Sequence, residues 1–157
     1  MNKYRRSRNA SGDYVNDYIK RYSNPKDVSA IYEPDVTEYL SVYNNAKTFS
    51  DTAFVVIGRY AGEAEDLTTV QYKKNYAADY TKTTLDFSDE EVDLLERVAN
   101  DYDKVVVIIN STNAMNLKQI ETIEGIDSCL VVGGTGCAGA RAIPKVIWGD
   151  VNPSGHL

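Results

Sequence analysis

Three near-continuous apolar runs, separated by stretches of helical spacing, organise this chain. Ala53 to Ile57, Lys104 to Asn110 and Ser128 to Val132 are apolar except at their ends. Such runs read as strands buried on both faces. Around them apolar residues recur with the period of a helix. Asp35 to Ser50 predicts a helix capped by Asp35 after Pro34, with Val36, Leu40, Tyr43 and Phe49 as its stripe. Ser88-Asp-Glu-Glu91 is a capping box, and Val92, Leu94, Leu95 and Val98 carry the helix that follows it. Asn116 to Ile123 predicts a short helix. Ala138 to Trp148 predicts a last one, stopped by Gly149 and kinked or split by Pro144. Residues 59 to 84 form a long polar segment with several tyrosines, and a loop of that length in a compact domain is usually functional or mobile.

Strands alternating with helices predict an α/β fold with a parallel sheet and right-handed crossovers. Ligands of such sheets meet the loops beyond the carboxyl ends of the strands. Here those loops are residues 58–66, 110–115 and 133–137. Residues 1–35 are rich in Tyr, Asn, Ser and Arg, show little periodicity and read as an irregular lead-in.

Composition narrows the function classes. With 157 residues the chain suits one domain, and 43% hydrophobic and 25% charged residues make it globular. A net charge of −6 argues against a nucleic-acid partner. No stretch approaches the length of a membrane span, and the N-terminus lacks the apolar middle of a signal peptide, so no membrane partner and a cytoplasmic location are expected. Cys129 and Cys137 are too few and too far apart for a metal cluster or a redox pair. His156, the sole histidine, makes a Ser-His-Asp triad or a histidine metal site improbable. Neither a cofactor nor a metal is expected.

Two stretches carry candidate chemistry. Gly134, Gly136 and Gly139 fit the spacing G-x-G-x-x-G after a strand and before a helix. A dinucleotide site also needs a following strand with an acidic residue about 20 residues on. After Trp148 the sequence runs only through Asn152-Pro-Ser-Gly155 to Leu157, without such a strand. Close helix–sheet packing is the better reading of the glycines, with nucleotide binding a weak third hypothesis. The other stretch is Ile57-Gly-Arg-Tyr-Ala-Gly-Glu-Ala-Glu-Asp66, in which Glu63, Glu65 and Asp66 follow a strand. Taken alone it is most often a solvated acidic loop. A carboxylic acid that donates and takes a proton at a cleft is the functional alternative, and spacing does not choose between them.

Ser50 to Asp66, with its apolar strand, Gly-Arg, Ala-Gly-Glu and Asp, resembles the C-terminal α/β sandwich domain of glycoside hydrolase family 3, the β-glucosidase family. Leu85 to Met115 resembles the family's next helix and strand. Val132-Gly-Gly-Thr-Gly136 through Trp148-Gly-Asp-Val-Asn-Pro-Ser-Gly155 resembles its glycine turn and Asn-Pro-Ser-Gly-Arg signature. The three blocks stand in family order over roughly residues 36–157. The resemblance implies a three-layer α/β sandwich with a mainly parallel sheet, incomplete in this chain.

The same resemblance implies that Glu63 is the general acid/base of a retaining glycosidase. Arg59 and Asp66 are implied as substrate-binding residues, with an ion pair that braces the loop an equally strong reading of Arg59 and a structural or supporting role for Asp66. A retaining glycosidase uses two carboxyl groups about 5–5.5 Å apart. Glu63 fits only the proton-transfer role, and the nucleophile is expected on a separate (β/α)8 barrel that this sequence lacks. The first strands of the sandwich are not visible before residue 36. His156 stands where the family has arginine, and the sequence stops where the family continues into another strand. A fragment, or one part of a split enzyme, is the expectation, with a β-glucoside or oligosaccharide and the missing barrel as partners. The rival reading is a non-catalytic module that binds carbohydrate or a partner.

Overall fold

A computed structural model describes residues 33–59, 67–73 and 77–155. Within them a 3-10 turn at Val36–Glu38 leads into helix α1 (Leu40–Phe49), strand β1 (Thr52–Arg59), and two short strands, β2 (Gln71–Tyr72) and β3 (Ala78–Asp79). Helix α2 (Asp89–Asp101), strand β4 (Lys104–Ser111), helix α3 (Lys118–Thr122) and strand β5 (Ser128–Val131) follow. The short helices α4 (Gly136–Gly139) and α5 (Ala142–Ile147) close the series.

The main sheet has the order β1–β4–β5 and is parallel throughout. Val55 stands beside Val107, Ile57 beside Ile109 and Arg59 beside Ser111, while Val107 stands beside Cys129. Alternate residues of a strand point to opposite faces, so this register gives one face to Val55, Ile57, Val105, Val107 and Ile109. That face is the core. It packs with Tyr43 of α1, Leu95 and Val98 of α2, Ile120 of α3, and Phe87. The positions 91, 95 and 98 of α2 lie one helical turn apart, and all three are buried. The capping box is present in full: the Ser88 hydroxyl accepts from the Glu91 amide, and the Glu91 carboxylate accepts from the Ser88 amide.

On β1 the opposite face is thinly covered, although Ile108 of β4 on the same face is buried. Phe54 is 43% and Val56 60% exposed, and Trp148, just past α5, stacks on Phe54 with ring centroids 6.1 Å apart while remaining 69% exposed. The expectation that the first strand is buried on both faces therefore fails for β1. A continuous apolar run does not report whether a second layer covers it. β5, also expected to be buried, is an edge strand that no residue buries fully.

The first helix also differs from its expected form. Asp35 caps the 3-10 turn, accepting from the Thr37 amide at 2.8 Å, and α1 begins only at Leu40. Of the expected stripe only Tyr43 is buried, and Phe49 is 91% exposed. The Tyr43 ring meets Tyr102 edge-on at 6.4 Å, and its hydroxyl donates to Asp101 at 2.9 Å, so one aromatic anchor docks this helix. The helix expected from Ala138 to Trp148, kinked or split by Pro144, is split between Gly139 and Ala142. Proline has no N–H to donate four residues back and crowds that carbonyl. As the third residue of α5, Pro144 falls in a first turn, where the missing donor costs nothing. Residues 59–84, expected to be one long loop, contain the antiparallel β2–β3 ribbon, in which Gln71 stands beside Asp79 and Tyr72 beside Ala78.

The turn between α3 and β5 shows how close the helix layer lies. Gly125 has φ +94, and a Cβ added there would sit 2.6 Å from the carbonyl oxygen of Ala99 on α2. Gly125→Ala is expected to cost about 2 kcal/mol or more, from left-handed strain together with a backbone clash. Urea unfolding followed by circular dichroism checks this, and an unchanged midpoint would mean that the turn does not press on α2.

Candidate functional site

The carboxyl ends of β1, β4 and β5 fall at one edge of the sheet because the strands are parallel and in register. Gly58 stands beside Asn110 and Arg59 beside Ser111. The β4 end turns at once: the Ser111 hydroxyl donates to the Asn113 carbonyl at 2.9 Å and accepts from the Asn113 amide at 3.1 Å. A Cβ added at Gly134 would sit 2.7 Å from the Thr112 methyl carbon, so the loop after β5 lies against the loop after β4. This is a loop-to-loop approach rather than the helix–sheet packing expected of the glycine turn.

Arg59 ends β1 on the core-facing side and is 6% exposed. Its guanidinium makes a two-pronged contact with Glu91, Nη1 to Oε1 and Nη2 to Oε2, each at 2.7 Å. The remaining donors also stay inside the protein. Nε reaches the Thr84 carbonyl at 2.7 Å, Nη1 the Gly58 carbonyl at 2.9 Å and Nη2 the Asp86 carbonyl at 2.9 Å. All five N–H donors of an arginine are thereby engaged. This geometry fits the bracing role for Arg59 and leaves no donor for a sugar. Glu91 serves twice, as the partner of Arg59 and as the reciprocal half of the helix cap.

Residues 83–86 form the hub around which these groups are held. The Asp86 carboxylate accepts from the Thr83 amide and hydroxyl and from the Asn116 side chain, and these bonds hold its carboxyl below the usual aspartate range. The Asp86 carbonyl also accepts from buried Gln71, whose amide nitrogen reaches the Thr83 carbonyl too. The Asn116 amide donates to the Leu85 carbonyl at 2.9 Å, which ties the loop after β4 to the same turn. Thr84 uses both of its polar ends: its carbonyl takes Arg59, and its hydroxyl donates to the Thr68 carbonyl at 2.6 Å. Glu33 enters from the N-terminal side and accepts from the Tyr39 hydroxyl at 3.1 Å. Burial, reinforced by the neighbouring Glu91 charge, raises the Glu33 carboxyl, while the Tyr39 phenol is pushed up to about 12, chiefly by burial.

Glu63 and Asp66 of the expected site, together with Glu65, lie outside the described residues, as do residues 1–32 and His156. What the structure describes is the frame on either side of residues 60–66: Arg59 before them and Thr68 after them. Sequence reasoning missed Thr84, Asp86 and Gln71, and read Glu91 as a cap alone. The available signal was the arginine itself. At the end of a buried strand it demands an acidic partner, but nothing in the sequence spacing says that the partner lies 32 positions later.

A recess of about 530 Å³ lies at the other end of the sheet, lined by Lys47, Thr48, Phe49, Ser50, Asp51, Asp101 and Asp103. It stands before β1 and β4 rather than beyond them, so it is not where the ligands of such sheets are found. Its polar groups serve packing: Lys47 pairs with Asp101 at 2.8 Å, and that pairing lowers the Asp101 carboxyl. Among the described residues, no helix is long and apolar enough to cross a membrane.

Comparison with known proteins gives a consistent result. The family model described as "Glycosyl hydrolase family 3 C-terminal domain" matches residues 8–157, beginning inside the stretch read as lead-in. A β-glucosidase of Ruminococcus albus is 30% identical over 117 residues, covering 74% of this chain and 11% of that protein. A probable β-glucosidase D of Emericella nidulans is 30% identical over 122 residues, 78% of this chain and 13% of that protein. The crystal structure of a β-glucosidase from Paenibacillus barengoltzii superposes with a TM-score of 0.60 at 28% identity, over 82% of this chain and 13% of that one. The chain thus spans only about an eighth of the length of these relatives.

Proposed function

The chain belongs to glycosyl hydrolase family 3 through the family's C-terminal domain, and on that premise we propose that it supplies the acid/base half of a retaining β-glucosidase-type active site. Glu63 is the group that protonates the departing glycosidic oxygen and then activates the water that releases the sugar. Asp66 supports it, and Arg59 braces the strand end from which residues 60–66 depart. The attacking carboxylate comes from a (β/α)8 barrel, and the substrate is a β-glucoside or an oligosaccharide ending in one.

One observation carries this reading. Arg59, two residues before the Ala-Gly-Glu stretch, is locked by five internal hydrogen bonds at the carboxyl end of a parallel sheet, where the loops after β4 and β5 converge. Proton transfer to a leaving group requires a carboxyl group held in a fixed place relative to the sugar, and a braced strand end ahead of residue 60 supports this reading. A pKa raised by burial against the barrel would keep Glu63 protonated for its first task. The exposed apolar surface of Phe54, Val56 and Trp148 also fits a chain that meets further protein.

The reading predicts that the purified 157-residue chain does not turn over an aryl β-glucoside. The same chain joined to a family barrel does. Turnover by the chain alone, abolished in Glu63→Gln, would mean that its nucleophile is its own. Absence of turnover from the joined enzyme, with both parts folded, would remove the proposal.

A further inference from the structure

The β2–β3 ribbon is rooted at the carboxyl edge of the main sheet by side chains on both of its arms. Gln71 opens β2 and is buried. Its side-chain amide donates to the Asp86 carbonyl at 3.1 Å, the same oxygen that takes Arg59 Nη2 from the end of β1 at 2.9 Å. Lys82, three residues after β3, sends Nζ to the Phe87 carbonyl at 3.0 Å and to the Asp89 carboxylate at 2.6 Å. Lys73, directly after β2, reaches that carboxylate at 3.4 Å. Asp89 is the first residue of α2. A helix that joins two parallel strands runs back against them, so its N-terminus lies at their carboxyl ends. Between β3 and Lys82 stands Tyr80, in a turn closed on both sides. The Asp79 carboxylate accepts from the Thr81 amide at 3.0 Å and from the Thr81 hydroxyl, and the Asp79 carbonyl accepts from the Lys82 amide at 3.4 Å. The Tyr80 ring is nonetheless 85% exposed. Exposure alone says little, because single apolar side chains are common on surfaces. What sets Tyr80 apart is its stem, a pinned turn at the edge where ligands of parallel sheets bind. Phe49, comparably exposed, lines the recess at the opposite end of the sheet.

We propose that Tyr80 is a carbohydrate-binding residue whose ring stacks on a sugar unit of a β-linked gluco-oligosaccharide. The inference rests on the β-glucosidase-type reading given above, and it narrows the substrate from any β-glucoside to an oligosaccharide. A β-glucose unit holds its hydroxyls around the rim of the ring and turns C–H groups to both faces. It can therefore cover an aromatic ring with apolar surface while its hydroxyls stay in water. Tyrosine suits such a contact, because it offers a large rigid ring at low cost in side-chain entropy and keeps a polar tip that tolerates water. The closed turn adds to this: the backbone that carries the ring is ordered before any sugar arrives, so binding does not have to order it.

The test uses a complete enzyme that carries this chain together with its barrel, with cellotriose and methyl β-glucoside as substrates. Tyr80→Ala is expected to lower kcat/KM for cellotriose by about tenfold, chiefly through KM, the equivalent of about 1.4 kcal/mol of binding. Methyl β-glucoside has no further sugar unit to stack, so its kcat/KM is expected to stay within about twofold. Tyr80→Phe and Tyr80→Trp keep an aromatic face and are expected to hold the cellotriose value within about threefold of wild type. The exposed ring takes no part in the core, so each variant should unfold at the wild-type midpoint, which circular dichroism checks. An equal loss on both substrates, no loss on cellotriose, or a Tyr80→Phe loss as large as that of Tyr80→Ala would overturn the platform. Failure of the acid/base reading shows differently. If Glu63→Gln leaves the methyl β-glucoside rate intact, the reading of Glu63 is wrong, while the ratio of the two substrates in Tyr80→Ala still decides the platform. If the complete enzyme hydrolyses neither substrate, saturation-transfer NMR of the 157-residue chain with cellotriose decides it instead. A sugar signal that disappears in Tyr80→Ala supports the platform, and no signal, or one unchanged by the substitution, removes it.

Discussion

Replacing Glu91 by alanine is expected to lower the free energy of unfolding by about 3–5 kcal/mol, the usual cost of removing one partner from a buried ion pair. Arg59 and Glu91 have side chains 1% and 6% exposed, so water does not replace the lost carboxylate. The guanidinium keeps its three carbonyl partners, but a buried positive charge then loses its paired carboxylate. The Ser88 amide also loses its acceptor, which opens half of the helix cap. Domains of this size are stable by about 5–15 kcal/mol, so the loss is large enough to leave a substantial fraction unfolded. Arg59→Lys is expected to fall well short of wild type, although it preserves the charge. One ammonium cannot span Thr84, Asp86 and both carboxylate oxygens. Arg59→Met with Glu91→Leu removes both charges, yet it strands the carbonyl of buried Thr84, at about 1–3 kcal/mol for an unsatisfied buried group. The double variant should therefore sit between wild type and Glu91→Ala. Urea unfolding measures all three. An Arg59→Lys midpoint equal to wild type would show that charge, not the forked geometry, holds the strand end.

How much of this was legible beforehand depends on whether a feature is local. The apolar runs at Ala53, Lys104 and Ser128 marked the three parallel strands, because a strand in such a sheet is apolar whichever neighbour it finds. The capping box at Ser88 marked the start of α2, because both of its hydrogen bonds lie within four residues. The β2–β3 ribbon escaped notice, since two-residue strands leave no period to read. The open face of β1 escaped notice for a different reason. An apolar run records what the side chains are and not what lies over them, and on that side Phe54 meets Trp148 while staying 43% exposed. Within the site, Glu63 came from resemblance rather than from spacing, while the hub was invisible. The Arg59–Glu91 contact, the Thr84 carbonyl and the Asp86 carbonyl join residues 25 to 32 positions apart, and two of those acceptors are backbone atoms that carry no sequence signal.

In a complete enzyme, Glu63→Gln is expected to lower kcat/KM by about 10²–10⁴-fold for a glucoside with an alkyl leaving group, the range assigned to a positioned general acid or base. Glutamine keeps the size and polarity of the side chain but delivers no proton. The first step then depends on the leaving group. A dinitrophenolate departs unaided, so kcat/KM for that substrate should fall far less. The second step still lacks a base to activate water, and the glycosyl–enzyme ester is expected to accumulate as a burst of dinitrophenolate followed by slow turnover. Added azide, a nucleophile that needs no deprotonation, should relieve this block: its terminal nitrogen bonds to the anomeric carbon as the ester bond to the proposed barrel carboxylate breaks. The product is a β-glucosyl azide, formed with retention after two inversions. The pH profile gives an independent check. The basic limb of kcat/KM reports the acid that must be protonated, so it is expected in the wild-type enzyme with the alkyl glucoside and absent in Glu63→Gln. A uniform loss on both substrates without azide rescue would assign residue 63 to the frame rather than to the proton, and an azide product of inverted configuration would remove the retaining mechanism itself.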